Sequence, residues 1–404
     1  MKNLFENQWQ ATKNLLCEGD DLNRNMDGSK NDTKKQVLAT VLENTRREMS
    51  LLESATAGAT SAASVATLQK VILPVIRRVM PTVIANEIIG VQPVTTPVSQ
   101  ISTLRVRYAD TVPVNGSGVT AGNEALGPFD VARFYSGNGN PAQPKAASTA
   151  ALEGVPGNRL SVQIMKETVE TRSRKLSARW TIEAAQDANS QHGIDIESEV
   201  MNALAQEITS EIDQEILMSL RALPGNPTAV YDQAAVTGTP TFVGDVHAAL
   251  ATMINRQANL IAQRTRRSQG NWCVVSPTAL TILQSATTSA FARTTEGTFE
   301  APSNTKFVGT LNGSMKVYVD QFANDGTPVL VGYKGSEVDA AAFYCPYVPL
   351  TSTGVVMDPN TMEPVVSFMT RYGYVELTNT ASSLGNAADY LGLIGIAEQN
   401  LSFM

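Results

Sequence analysis

The amino-acid sequence predicts an α+β fold organised around one long helix. Apolar residues recur at every fourth position from Ile196 to Leu220, as in a helix with one buried face. Two stretches with strand-like alternation flank about 50 loop-like residues, and helix and strand patterns then alternate up to about residue 350. With 404 residues, 43% of them hydrophobic, the chain can bury a substantial core.

The overall charge argues against a dedicated nucleic-acid-binding protein. The formal net charge is −7 and only 17% of the residues are charged, so the basic footprint of such proteins is missing. The charges are also unevenly distributed. The first 53 residues contain 8 basic and 9 acidic residues, whereas the other 351 contain 52 charged residues. Residues 1–53 therefore form a segment of distinct composition.

The cysteine content and the apolar runs predict a protein made and kept in a cytosol. The chain has three cysteines, Cys17, Cys273 and Cys345, too far apart for a metal knuckle or a disulfide framework. No run approaches the roughly 18 apolar residues of a membrane span. The polar N-terminus also lacks the apolar core of a signal peptide.

The N-terminal segment predicts two amphipathic helices separated by the polar stretch Asp20–Lys30. These helices could bind partner helices or could pack as a hairpin on their own domain. Ser54–Thr67 follows and consists almost wholly of Ser, Ala, Thr and Gly, which separates residues 1–53 from the rest. The stretch is either a plain flexible linker or an accessible proteolytic junction.

The next region predicts a long hairpin that projects from the body. Leu68–Val91 is apolar but interrupted by prolines, which predicts short pieces packed on something larger. Ile101–Ala109 and Leu160–Trp180 have strand patterns, and Asp110–Arg159 between them has little periodicity. A compact domain rarely contains so long a loop, so we expect the two strands to pair outside it. A disordered insertion is an equal alternative for the tip.

The long helix is predicted over Ile194–Ala222, with a cap near Asp195 and an end at Leu223-Pro224-Gly225. At ~1.5 Å per residue it would extend on the order of 40 Å. The sequence then predicts a second α/β unit and C-terminal strands that return to the body. These further elements are a helix over Gly244–Arg267, a helix from Pro277, and strands at Trp272–Ser276, Phe307–Thr310, Met315–Val319, Val329–Tyr333, Val365–Tyr372 and Tyr374–Leu377.

The residues that could carry catalysis are few. His192 and His247 do not fall in metal-binding spacings, and structural roles account for both. The sequence has no Walker, GxSxG or CxxC motif, so we predict no catalytic residue, no metal and no cofactor. The acids of the long helix lack a histidine partner, which favours a solvated face or a basic partner surface over a metal site. These acids are Glu197, Glu199, Glu207, Glu211, Asp213 and Glu215.

One charge pattern predicts a contact between subunits. Basic residues cluster on the second strand of the predicted hairpin, and the acids of the long helix complement them in charge. We expect the hairpin of one chain to lie over the helical body of the next. The predicted basic residues are Arg172, Arg174, Lys175 and Arg179, and their predicted partners are Glu207, Glu211 and Glu215.

Five strings of the sequence resemble the major capsid proteins of T-even-type tailed bacteriophages. They occur in that family's order along most of the chain. The strings are Pro81–Ala109, Glu183–Asp195, Gly332–Gly335, Tyr347–Thr351 and Thr370–Gly373. The resemblance implies the Hong Kong 97-like phage capsid fold, with an N-terminal arm, an extended hairpin loop, a peripheral domain with a long spine helix, and an axial domain.

The resemblance also implies how this chain is divided. Residues 1–53 would be a cleavable propeptide with scaffold-like helices, 54–91 the arm, 92–180 the extended loop, 181–222 and 351–404 the peripheral domain, and 223–350 the axial domain. The family's protease cuts after a Glu preceded two positions earlier by Leu or Ile. Glu53 followed by Ser54 fits this rule. Leu4-Phe5-Glu6 fits too, but only Glu53 lies at the composition boundary. Asp110–Arg159 is short for the extra insertion domain of larger members.

The function implied by the resemblance is structural and not enzymatic. The chain would form hexameric capsomers of an icosahedral head that encloses DNA, assembled in the bacterial cytoplasm and retained in the virion. Implied partners are further copies, the vertex pentamer protein, the portal, the scaffold core, the prohead protease and a decoration protein, with only non-specific DNA contact. Alternatives are the pentameric vertex paralogue, a cellular nanocompartment shell of the same fold and, more remotely, a small-molecule enzyme using the axial unit.

Overall fold

The structure is a computed structural model, and its elements confirm the α+β class. It describes residues 36–37, 39–44, 83–112, 120–122, 125, 135–136, 146–154, 156–192, 195–235, 243–265, 267–286, 291–293, 306–352, 354–378 and 386–401. The predicted junction at Glu53 and Ser54, most of the two N-terminal helices and Cys17 lie outside these ranges.

The α-helices are α1 Ala85–Ile88, α2 Thr149–Leu152, α3 Ile182–His192, α4 Ile196–Ala222, α5 Val243–Thr265 and α6 Pro277–Ser285. The strands are β1 Gly90–Val91, β2 Val98–Tyr108, β3 Leu160–Glu170, β4 Arg172–Arg179, β5 Ala229–Tyr231, β6 Trp272–Val275, β7 Phe291–Arg293, β8 Lys306–Leu311, β9 Met315–Val319, β10 Val329–Gly332, β11 Ala342–Ser352, β12 Val356–Met357, β13 Pro364–Glu376 and β14 Leu391–Ile396. Short 3₁₀ helices lie on either side of β14, at Ala387–Tyr390 and at Glu398–Asn400.

The predicted hairpin is present as a two-stranded antiparallel ribbon. β2 pairs with β3 over their full lengths, from Val98 opposite Glu170 to Tyr108 opposite Leu160. The second predicted strand, however, is two strands separated at Thr171. Its second half, β4, pairs antiparallel with β13 and belongs to the body. The backbone N–H of Thr171 donates to Pro97 O at 2.9 Å, which closes the root of the ribbon.

Part of the hairpin tip has a small core of its own. The rings of Tyr108 and Tyr135 lie with their centroids 4.5 Å apart, and both are buried together with Ala125. Arg159 forms an ion pair with Asp110 at 3.1 Å where the two strands of the ribbon end. Ala125 and Tyr135 of the tip therefore pack with Tyr108 around an aromatic pair, which favours a folded tip over a disordered insertion at these two positions.

Two larger sheets form the body. The five-stranded sheet has the order β1-β11-β13-β12, with β4 on the other side of β13. The seven-stranded sheet has the order β5-β14-β10-β6-β9-β8-β7. β11 begins at Ala342 and lies in the five-stranded sheet, whereas the C-terminal strand β14 lies in the seven-stranded one. All six β14 residues are buried, as expected for a strand paired on both edges and covered on both faces.

The long helix begins and ends close to the predicted positions. Asp195 caps it by accepting a hydrogen bond from the Glu197 N–H at 3.1 Å, which satisfies a donor of the first turn. Its buried face includes the predicted stripe from Leu204 to Leu220, and this stripe joins one continuous core with both larger sheets. In the part of the chain that the structure describes, no helix is both long and apolar enough to cross a membrane.

Residues 36–37 and 39–44 are helical and pack on this body. Val41 and Leu42 are fully buried in the main core. For these positions the structure favours the second of the two alternatives above, in which the N-terminal helices pack on their own domain.

Candidate assembly surfaces

The predicted basic and acidic residues meet in a cluster on one side of the body. Arg174 on β4 places its two terminal nitrogens 2.5 Å from Glu211 and 2.5 Å from Glu215, which lie one turn apart on α4. Its Nε donates to the Tyr372 hydroxyl at 2.6 Å, and that hydroxyl donates to Glu215. The cluster therefore ties β4 and β13 to the long helix through one guanidinium group.

Mutual hydrogen bonding keeps this cluster charged. Burial opposes ionisation at both Arg174 and Glu215, but the contacts between them and with Tyr372 dominate. They raise the pKa of Arg174 and lower the pKa of Glu215. Burial, followed by the hydrogen bond to Glu215, raises the pKa of Tyr372. All three groups thus keep their ordinary ionisation states at neutral pH.

This geometry gives Arg174, Glu211 and Glu215 partners within their own chain, and their predicted contact between subunits stays a prediction. Their ion pairs form within one chain because β4 leaves the hairpin and pairs with β13 beside the long helix. Arg179 likewise lies 3.7 Å from Glu363 of the same chain. The remaining predicted residues, Arg172, Lys175 and Glu207, are exposed.

An apolar stripe on the hairpin was not predicted. Leu160, Val162 and Ile164 alternate along β3 and are 57%, 63% and 66% exposed. Alternate residues of a strand share one face, so the three side chains form a continuous apolar surface. The alternation in LSVQI was the signal for this surface, but the pattern alone could not show which strands would be covered by the body. Exposed apolar patches of this kind mark contact sites.

A second set of contacts attaches residues 83–94 to the body. The Ile84 N–H donates to the Asp213 carboxylate at 2.9 Å, and the Val91 N–H donates to Glu337 at 2.7 Å. Asp213 is only 1% exposed, which corrects the prediction that it lies on a solvated helix face. Burial raises the pKa of Asp213 to about 8, and the nearby Asp320 adds to this rise.

A buried ion pair joins the long helix to the seven-stranded sheet. Asp320, directly after β9, accepts hydrogen bonds from Gln214 at 2.7 Å and from Arg221 at 3.0 Å. The Asp320 side chain is fully buried and that of Arg221 is 13% exposed. Sequence patterns did not indicate this contact, since its partners are about 100 residues apart.

The two histidines and two of the three cysteines lie among the described residues. His247 is buried and contacts the Ser285 hydroxyl, and His192 ends α3. Burial raises the pKa of Cys273 and of Cys345 to about 12, so both thiols stay protonated. Among the described residues, no group of three or more His, Cys, Asp or Glu side chains could hold a metal ion.

Similarity to known proteins shows that this chain is a structural protein of a phage head. The family described as major capsid protein Gp23 matches residues 65–396, and the chain belongs to this family. The major capsid protein of Vibrio phage KVP40 is 29% identical over 418 aligned positions, which cover 80% of each protein. That of Enterobacteria phage T4 is 34% identical over 236 positions, covering 54% of this chain and 45% of the T4 protein.

More distant similarities concern a paralogue and a solved structure. The capsid vertex protein of phage T4 is 25% identical over 250 positions, which cover 56% of each protein. A chain from the capsid of Myoviridae phage XM1 is 11% identical, with a TM-score of 0.42 over 76% of this chain and 88% of that chain. The family match confirms the resemblance predicted from the sequence. The protein is a major capsid protein of a tailed phage and forms the capsid shell of the virion.

Proposed function

We propose that this chain forms the hexameric capsomers of an icosahedral head and matures by removal of residues 1–53. The observation that carries the proposal is the exposed apolar stripe of Leu160, Val162 and Ile164 on a ribbon that projects from the body. A repeated, closed assembly needs such a surface, because each subunit must bury apolar area against the next one.

The elements of the chain are assigned accordingly to the Hong Kong 97-type parts. The ribbon β2–β3 is the extended loop, α4 is the spine helix, and the seven-stranded sheet is the core of the axial domain. The pairing of β11 and β14 supports revised limits, with the axial domain including residues 391–396 and ending before residue 342. Residues 83–91, attached through Asp213 and Glu337, are the inner end of the arm.

The comparisons support the hexamer-forming protein over its paralogue. The major capsid proteins of phages KVP40 and T4 are 29% and 34% identical to this chain, whereas the T4 vertex protein is 25% identical. Membership of a capsid protein family supports a role without enzymatic activity. We further propose the vertex pentamer protein, portal, scaffold core, prohead protease and a decoration protein as partners.

The apolar stripe gives a direct test of subunit contact. Replacing both Val162 and Ile164 by Asp should lower the assembled fraction at least about tenfold, because each side chain loses about 1.5–3 kcal/mol of burial in every contact. Electron microscopy and sedimentation would measure shells and capsomers against free chains.

The control for this test is Gln163→Asp, which adds one negative charge, against two in the double variant, to the opposite face of the same strand. Unchanged assembly of the double variant would refute the role of the stripe.

The same assay with Arg172→Glu and Lys175→Glu tests the proposed charge pairing with Glu207 of a neighbour. Its effect should fade in about 1 M salt, where screening acts over about 3 Å.

The cleavage site is tested in virions. Glu53→Ala should leave the propeptide attached, whereas Glu6→Ala, at the other matching motif, should leave processing unchanged. Intact-mass analysis should show a mature chain of 351 residues beginning at Ser54 in the unaltered protein. A mature N-terminus at any other residue would rule out this site.

A further inference from the structure

Residues 36–37 and 39–44, here called the clamp segment, lie against the root of the hairpin. Val41 and Leu42 are fully buried and Asn44 is 4% exposed. The Asn44 side-chain nitrogen lies 2.7 Å from the carbonyl oxygen of Val94 and 3.0 Å from that of Tyr347. An asparagine amide has two N–H donors, and two acceptors are in reach here. A single side chain thus binds two separate backbone segments.

Those two segments meet where the ribbon joins the body. The Val94 N–H donates to Pro346 O at 3.1 Å, which extends the parallel pairing of β1 with β11. Tyr347 lies at the register shift between Pro346 and Val348, where the pairing of β11 with β13 is irregular. The hairpin strand β2 begins only four residues after Val94. Asn44 therefore holds the chain at the point from which the ribbon projects.

We infer that the clamp segment locks the hairpin root in the uncleaved chain, and that its removal frees the ribbon to change its angle to the body. Hydrogen bonds made away from water resist opening, since each group released must be solvated again. The surface at Val94 and Tyr347 is thus an interaction site whose occupant is the chain's own N-terminal segment.

Cleavage would convert this clamp into a weak one. While the segment is covalently attached, its local concentration at the hairpin root is high, and cutting the chain removes this advantage. A helix of this length is also unstable once it leaves its packing surface. The release step rests on the proposed cleavage after Glu53, whereas the clamp itself does not.

Hydrogen exchange on the unassembled full-length chain tests the clamp. Asn44→Asp keeps the size of the side chain but replaces the donating amide by a carboxylate that faces two carbonyl oxygens. We expect the backbone amides of Gln92, Val94 and Thr171 to exchange about tenfold faster or more, while β6 in the distant sheet stays protected. Gln36→Ala, an exposed position of the same segment, is the control and should exchange like the unaltered chain.

A chain beginning at Ser54 provides the second arm. It should show the same faster exchange at the hairpin root with β6 still protected. If Asn44→Asp also raises the exchange of β6, the chain beginning at Ser54 becomes the deciding test of the clamp. Root exchange equal to that of the full-length chain would overturn the clamp. Faster root exchange together with a mature N-terminus other than Ser54 would refute the proposed cleavage site and leave the clamp standing.

Discussion

Gly332→Ala is expected to destabilise the seven-stranded sheet by about 3 kcal/mol or more, the upper end of the cost of overpacking a core. Gly332 on β10 lies directly opposite Trp272 on β6, and both strands are buried. A Cβ atom at this position would lie 2.1 Å from Cζ2 and 2.5 Å from Cε2 of the indole. The Trp272 side chain is 2% exposed and surrounded by core residues, so it has little room to move away.

Urea or thermal unfolding of the unassembled chain would measure this loss. Gly157→Ala is the matched control, because no atom of the described residues lies within 4 Å of a Cβ there and the backbone needs no left-handed conformation. Combining Gly332→Ala with Trp272→Phe should cost less than the sum of the two single changes, since the smaller ring relieves the contact. An unfolding midpoint of Gly332→Ala within error of the unaltered chain would show that the sheet adapts.

Asp320→Ala is expected to cost about 3–5 kcal/mol, because it leaves the charge of Arg221 without its partner in a buried site. Gln214 and the Phe322 N–H would also lose their acceptor, at 2.7 Å and 3.1 Å respectively. These contacts join the long helix to the seven-stranded sheet, so their loss weakens the junction between the two parts of the body.

The control for the Asp320 variant is Glu363→Ala. Glu363 pairs with Arg179 at 3.7 Å, and the Arg179 side chain is 69% exposed, so its removal should cost no more than about 1 kcal/mol. Replacing Arg221 by Met together with Asp320→Ala should recover part of the lost stability, because no buried charge remains. Equal unfolding free energies for the two single variants would contradict the assigned role of the buried pair.

Local patterns predicted the elements themselves well. The four-residue recurrence from Ile196 to Leu220 and the cap at Asp195 placed the long helix within two residues of its observed start. The strand at Met315–Val319 and the helix from Pro277 were also placed correctly, the latter capped by the Ser276 side chain. These signals depend on neighbours within one or two turns, which the sequence contains directly.

Partners distant in the chain were not predictable in the same way. The run Leu160–Trp180 has a continuous strand pattern, and only the pairing of β4 with β13 shows that it serves two sheets. For the same reason Arg174 was placed correctly on a strand, but its partners Glu211 and Glu215 in the same chain became visible only in the fold. The alternation of Leu160, Val162 and Ile164 was visible, yet only the fold shows that the body leaves these side chains uncovered.

Local sequence was enough to establish the class of the protein, its principal helix and hairpin, and the distinct composition of residues 1–53. Composition, periodicity and short ordered strings carry this information, and none of them depends on knowing distant contacts. Three features became visible only in the folded chain: the sheet that receives the C-terminal strand, the burial of Asp213 and Asp320, and the binding of Asn44 to the hairpin root. Such features depend on which distant segments pack into one core. The burial and hydrogen bonding of the whole chain determine that packing, so no local pattern contains it.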